Sequence, residues 1–232
     1  MKIATLGDSA VLVGLGETLD VAAVGAVQAL AAALEADPLP GFIECVAANL
    51  TVTVYYDPTR VPRVEGGSAH DRVCQWIRDR AAVSARRVRE VVERRVEIPV
   101  CYGGDVGPDL EAVGAAHGLK ADEVVALHSG AEYFVSAVGF APGFPYLGGL
   151  PAPLHTPRRA TPRTRVPAGS VAIGGAQTGV YPFETPGGWH VIGRTPLRLF
   201  NPQGRPPALL QAGDRVRFRR ISQEQFQAAL QP

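Results

Sequence analysis

Thirteen of the chain's 20 prolines lie between Pro142 and Pro207. Proline has no backbone N–H, and its ring clashes with the preceding turn of a helix, so no long helix can cross this segment. Short strands, turns and ordered loops remain. Strands are expected at 170–174, 178–183, 189–193, 197–200 and 214–220, with another at 132–140. Many short strands separated by Gly and Pro describe a closed or nearly closed β-barrel. Just upstream, Gly107-Pro108 opens a helix over 108–117, and 121–130 supplies a second short one.

The first part of the chain is patterned differently. Residues 3–7 and 10–15 read as one or two strands, and Asp20 is a good N-cap for a helix over 21–36. Asp37-Pro38 and Pro40-Gly41 stop that helix. FIECVAA (42–48) and LTVTVYY (50–56) read as paired strands, a helix follows at about 69–83, and 86–100 supplies a further strand or two. The order strand, helix, strand, strand, helix, strand suits a ferredoxin-like α/β sandwich. A boundary is placed near 94–98, giving domains 1–96 and 97–232 and a two-domain α+β chain.

With 232 residues, 46% of them hydrophobic and 19% charged, the chain can bury a core, and wholesale disorder is excluded. No apolar run approaches the roughly 20 residues that span a bilayer. The opening MKIATLGDSA has no long apolar stretch, so no signal peptide and a cytoplasmic location are expected. Cys45, Cys74 and Cys101 are scattered, which argues against a disulfide framework and a zinc site. The net charge is only +1, but residues 151–220 hold eleven arginines, no lysine and two acids, a local charge of +9. Residues 1–150 carry −7. There is no basic helical face, zinc-finger or RNP-like pattern, so nucleic acid is not the expected partner. Either these arginines are solvated or they receive carboxylate or phosphate.

Catalytic signatures are mostly absent. There is no P-loop, no GxGxxG between a strand and a helix, no HExxH and no GxSxG. Three clusters remain. In Gly139–Gly149, aromatics alternate with Gly and Pro, so Phe140, Phe144 and Tyr146 either line a pocket, meet a partner or pack on the barrel. In Pro157–Arg165, prolines limit the freedom of four arginines, which form an anion site or a solvated loop. In Tyr181–Thr195, a Gly-Gly pair allows close approach of the backbone to a ligand beside Trp189, His190 and Arg194. The last two clusters are expected to converge on one anion-accepting site. Arg158, Arg163 and Arg194 are its charges, and Tyr181, Trp189 and His190 its walls. His190 and Arg194 are the catalytic candidates. His190 has no acidic neighbour in sequence to orient it and ranks as a binding residue first. No metal ligand set is expected.

The segments GFAPGFPYLGGLP, LHTPRRATPR, VPAGSVAIGGAQTGVYP, TPGGWHVIGRT and AGDRVRF occur in that order. They resemble the 5-oxoprolinase B-subunit family, also called the Kip-type or allophanate-hydrolase-subunit-1 family. The resemblance runs from about Ile98 to Phe218 and more loosely through GDSAVLVGLG and NLTVTVYYDP. It implies a small α/β domain followed by a cyclophilin-like β-barrel. It also implies a non-autonomous subunit that works with sister subunits of the A and C types to cleave 5-oxo-L-proline to L-glutamate with ATP. Two other roles come with the resemblance: inhibition of a sensor histidine kinase, and a carboxyltransferase-type subunit for urea or a similar amide. A lactam is a poor electrophile, and activating it with ATP needs a phosphate cradle and metal ligands that this chain does not display. A half-site is therefore expected, with arginines for anionic oxygens and aromatic walls that exclude water.

Overall fold

The computed structural model describes residues 1–62, 67–87 and 94–231. The chain divides into two compact units, Met1–Val92 and Glu93–Pro232. In the first unit, β1 (Lys2–Thr5), β2 (Ala10–Gly14), β3 (Phe42–Ala48) and β4 (Thr51–Tyr56) form an antiparallel sheet in the order β1-β2-β4-β3. Helices α1 (Val21–Ala36) and α2 (Ala69–Arg87) pack on one face of it. The Asp20 carboxylate accepts the Ala23 N–H at 2.8 Å and caps α1. Ser68 and Asp71 exchange side-chain-to-backbone hydrogen bonds at the start of α2. Alternate residues Val11, Val13, Val52 and Val54 face Leu30, Leu34, Trp76 and Ile77 in the core.

The expected order of elements does not build this sheet. Its fourth place, beside β2, is taken by β1 rather than by a strand from 86–100. The cause is local. Gly7 takes a left-handed φ of 65°, the Leu6 N–H donates to the Ala10 carbonyl at 3.0 Å, and residues 2–14 become a hairpin. Of the 86–100 segment, residues 88–93 lie outside the described residues. From Arg95 the chain forms β5 (Arg95–Tyr102), a strand of the second unit.

The second unit continues with helices α3 (Leu110–Ala116) and α4 (Ala121–Gly130). The strands are β6 (Glu132–Val138), β7 (Pro145–Gly148), β8 (Arg163–Val166), β9 (Ser170–Gly174), β10 (Gln177–Val180), β11 (Thr185–Gly187), β12 (His190–Arg194) and β13 (Arg215–Arg220). Helix α5 (Gln223–Leu230) ends the described chain. Seven strands close a barrel in the order β10-β7-β6-β13-β5-β12-β9, and β8 pairs with β11 as a separate ribbon. Every barrel strand sends a residue into one core: Val100, Val135, Leu147, Ile173, Val180, Ile192 and Phe218.

The barrel expected from the Gly and Pro pattern is present, with local departures. The segment 197–200 makes only an isolated bridge, Phe200 to Ala208, because Pro196 and Pro202 remove backbone donors on both sides. The strand expected over 178–183 stops at Val180, before Pro182. Helix α5 was not expected; Ser222 and Gln225 form its capping box. Among the described residues no helix is long and apolar enough to cross a membrane.

Candidate functional site

Along β9, Val171 and Ile173 point into the barrel core and Ala172 points outward. Ala172 is paired in register with Val191 of β12. These two residues found a second cluster on the outer face of the barrel wall, completed by Phe144, Val166, Tyr181, Trp189 and Tyr146. Phe144 is its centre. Its ring meets those of Phe140, Tyr146, Tyr181 and Trp189 edge-on, at centroid distances of 5.5, 5.0, 5.2 and 5.6 Å. Such edge-to-face contacts add to the area each ring buries. Gly174 of β9 makes the packing possible: a Cβ there would lie 2.6 Å from the indole of Trp189. The Trp189 ring therefore lies directly on the strand backbone.

Above this cluster opens a groove of about 310 Å³, walled by Phe140, Tyr146, Tyr181 and Trp189 and closed by Pro186, Gly187 and Gly188. That volume is at the small end of ligand pockets, which run from about 300 to 1,000 Å³. Arg158 and Arg159 bring charge to its edge. The Arg158 guanidinium carbon stands 6.0 Å from the Trp189 ring centroid, within cation–π range. Among the described residues Arg158 has no carboxylate partner.

The charge is organised by Asp109, just before α3. Its carboxylate accepts two hydrogen bonds from Arg163, at 2.7 and 2.8 Å, and one from Arg159 at 3.1 Å. It also accepts the backbone N–H of Val191 at 2.7 Å, while the Asp109 N–H donates to the Val191 carbonyl at 2.9 Å. Burial alone would raise the Asp109 carboxyl. The Arg163 hydrogen bonds, the Val191 N–H and the two guanidinium charges outweigh it, and the group is held below the usual carboxylate range. One acid thus joins α3, β12 and the arginine segment. Two arginines against one carboxylate, with Arg158 beside them, leave the rim of the groove net positive. The Nε–H of Arg159 is buried and donates to nothing among the described residues.

Of the residues singled out in the sequence, Arg158, Tyr181, Trp189, Phe140, Phe144 and Tyr146 meet at the groove. Phe144 is only 2% exposed, so it is a core residue beneath the groove rather than a partner surface; Phe140, at 66%, is the exposed ring of that loop. Phe140 also holds a left-handed φ of 68°, a strained conformation for a bulky residue. Arg163 is not free to take a ligand, because both arms of its fork grip Asp109. Arg194 does not line the groove. Its Nε donates to the Ala168 carbonyl at 2.7 Å, and an extended strand carries it roughly 16 Å from Trp189 in five residues. His190 also lies outside the lining. Its Nε2 is 2.9 Å from the Pro157 carbonyl, which only accepts, so this nitrogen carries the proton and steadies the backbone before Arg158. Asp109 and Arg159 were not foreseen. Arg159 was legible as the neighbour of Arg158, but nothing in the spacing tied Asp109 to arginines 50 residues away.

Inside the barrel a different polar group is buried. His128 of α4 is fully enclosed and stacks on Phe218 at 4.6 Å. The Thr178 hydroxyl donates to the Ala172 carbonyl at 2.9 Å, so it accepts from His128 Nε2 at 3.0 Å. Nδ1 then accepts the Tyr102 hydroxyl at 2.8 Å. Burial pushes the imidazole down from the usual 6.5 to about 3, so it is neutral at physiological pH.

A family model described as "Carboxyltransferase domain, subdomain C and D" matches residues 1–210. The chain is 49% identical over 230 residues to the B subunit of 5-oxoprolinase from Bacillus subtilis (strain 168), covering 98% of this chain and 95% of that protein. It belongs to the 5-oxoprolinase B-subunit family. A second family member, from Escherichia coli O157:H7, is 46% identical over 213 residues, 92% of this chain and 93% of its own length. A similar fold is seen in the solved structure of TTHA0988, 37% identical with a TM-score of 0.77 over 92% of this chain. This chain spans 40% of that longer one.

Proposed function

We propose that the chain is the B component of a cytoplasmic 5-oxoprolinase that uses ATP to open 5-oxo-L-proline to L-glutamate, acting with sister subunits of the A and C types. The observation that carries this reading is the 49% identity with the Bacillus subtilis B subunit over nearly the whole length of both chains. The groove supports it chemically. 5-Oxoproline is a small ring with a carboxylate, and the groove pairs aromatic walls with arginine donors that are not fully used inside the protein. An arginine fork binds a carboxylate with two parallel charge-assisted bonds. The packed rings shield those bonds from water and so strengthen them.

The sequence carries no recognisable nucleotide-binding motif. The sequence has no phosphate-binding loop, and among the described residues no three His, Cys, Asp or Glu side chains come together to hold a metal. ATP is therefore assigned to the assembly as a whole. The family model favours one second reading, a carboxyltransferase-type subunit for urea or a similar amide.

The test is to purify the chain alone and with its A-type and C-type partners, then follow glutamate release from 5-oxoproline with ATP. The full assembly is expected to turn over and the lone chain to be silent. Turnover by the lone chain at the rate of the assembly would overturn the half-site. An assembly that ignores 5-oxoproline but carboxylates an amide would establish the second reading.

A further inference from the structure

Tyr181 is 2% exposed and lines the groove, with its hydroxyl beside Gly187, another lining residue. A Cβ on Gly187 would lie 2.3 Å from the hydroxyl oxygen, so the phenol rests against the bare backbone of the Gly-Gly turn. The chain is pinned at this point by two backbone hydrogen bonds: Tyr181 N–H to the Ser170 carbonyl at 2.9 Å, and Gly169 N–H to the Tyr181 carbonyl at 2.7 Å. The ring is wedged edge-on against Phe144 at 5.2 Å. Burial raises the phenol. The nearby Trp189 backbone N–H and the charges of Arg158 and Arg163 pull the other way, and burial prevails. The hydroxyl therefore keeps its proton at neutral pH. Among the described residues no acceptor takes the proton of this hydroxyl. A fixed O–H donor flanked by two cations suits an incoming oxygen that carries, or is gaining, negative charge.

We propose that the Tyr181 hydroxyl donates a hydrogen bond to the lactam oxygen of the ligand, while Arg158 holds its carboxylate at the edge of the groove. This rests on the reading of the groove as a 5-oxoproline site. The two oxygen-bearing groups of that molecule hang from the two ring carbons that flank its nitrogen, so one ligand presents both to one groove. The lactam oxygen gains negative charge when the ring nitrogen loses its proton or when the carbonyl carbon is attacked. The Tyr181 bond therefore strengthens in the transition state, while the carboxylate bonds stay constant. Tyr181 acts on turnover and Arg158 on binding.

The experiment measures kcat and KM for 5-oxoproline in the reconstituted assembly, with thermal melting of each variant. Tyr181→Phe is expected to lower kcat about a hundredfold with KM within about threefold, the size of effect seen when an oxyanion donor is removed. Arg158→Ala is expected to raise KM by about ten- to a hundredfold and leave kcat nearly unchanged. Gly187→Ala keeps the hydroxyl but drives a methyl group into it, and is expected to repeat the kcat loss. If Tyr181→Phe melts early, Gly187→Ala decides alone. A raised KM in Arg158→Ala with wild-type kcat in both Tyr181→Phe and Gly187→Ala overturns the donor assignment and leaves the groove standing. A raised KM with unchanged kcat in Tyr181→Phe also overturns it, by making the hydroxyl a ground-state contact. Wild-type values in all three variants overturn the groove reading itself.

Discussion

Two polar constellations lie on opposite sides of the same barrel wall, and they are built to opposite rules. Inside, His128 donates to Thr178, accepts from Tyr102, and its carbonyl accepts Tyr133, so every ring nitrogen is used. Outside, Asp109 is just as fully used, but the arginines and the tyrosine around it are not. Among the described residues Arg158 has no carboxylate and Tyr181 keeps an unused O–H, both at an open groove. A closed network specifies a fold, and an open one with donors left over specifies a ligand. Burial and a displaced pKa do not separate the two, since the most strongly shifted histidine belongs to the closed network.

The contrast is erased most severely at Asp109. Asp109→Ala leaves the Arg159 and Arg163 guanidinium groups and the Val191 N–H without their acceptor. Stability should fall by about 3–5 kcal/mol, as when one partner of a buried pair is removed, and the groove should lose its anion affinity with it. Urea unfolding measures the first effect and substrate titration the second. A variant with unchanged stability would show that Asp109 organises nothing.

Phe144→Ala removes the ring that four others pack against. The expected cost is about 3–5 kcal/mol in thermal or urea unfolding. Normal stability with selective loss of partner binding would restore this side chain to the partner surface.

The closed network should show itself in pH dependence. The folded pKa of His128 lies below the unfolded one, so the unfolded chain binds more protons between about 6.5 and about 3. Above 6.5 both states are neutral at this group and it adds no pH dependence. Below about 6.5 its stability contribution is lost at up to about 1.4 kcal/mol per pH unit. Comparing urea midpoints of the wild type with His128→Gln at about pH 7 and about pH 5 isolates this group. The wild type should lose about 2 kcal/mol more than the variant over that interval. Equal losses would mean that His128 is not held neutral.

The smallest effect on stability is expected at the mouth of the groove. Phe140→Ala should change stability by less than about 0.5 kcal/mol, since the ring is mostly exposed, while weakening substrate or partner binding.

What the sequence discloses about this molecule is local. Helix α1 was legible because Asp20 and the following apolar pattern act within one turn, and β9 because a short apolar run is fenced by Gly and Pro. The hairpin of β1 and β2 was half legible, and its consequence for the sheet was not, because strand partnership is decided by packing rather than by propensity. At the site, the clusters containing Phe140, Arg158, Tyr181 and Trp189 stood out by composition. The roles inside them did not. Arg163 and Arg194 looked equivalent to Arg158 until one was found gripping Asp109 and the other displaced along its strand. Asp109 is the organiser and carries no sequence signal, because its partners lie 50, 54 and 82 residues away.

Donors left over at the groove are there for a ligand, and Arg158 is where this is tested most directly. In the reconstituted assembly, the KM for 5-oxoproline should rise by about ten- to a hundredfold in Arg158→Ala, with an unchanged melting temperature. In His128→Gln the KM should stay at the wild-type value. An unchanged KM in Arg158→Ala, or a KM that moves equally in both variants, would contradict a ligand role for these donors.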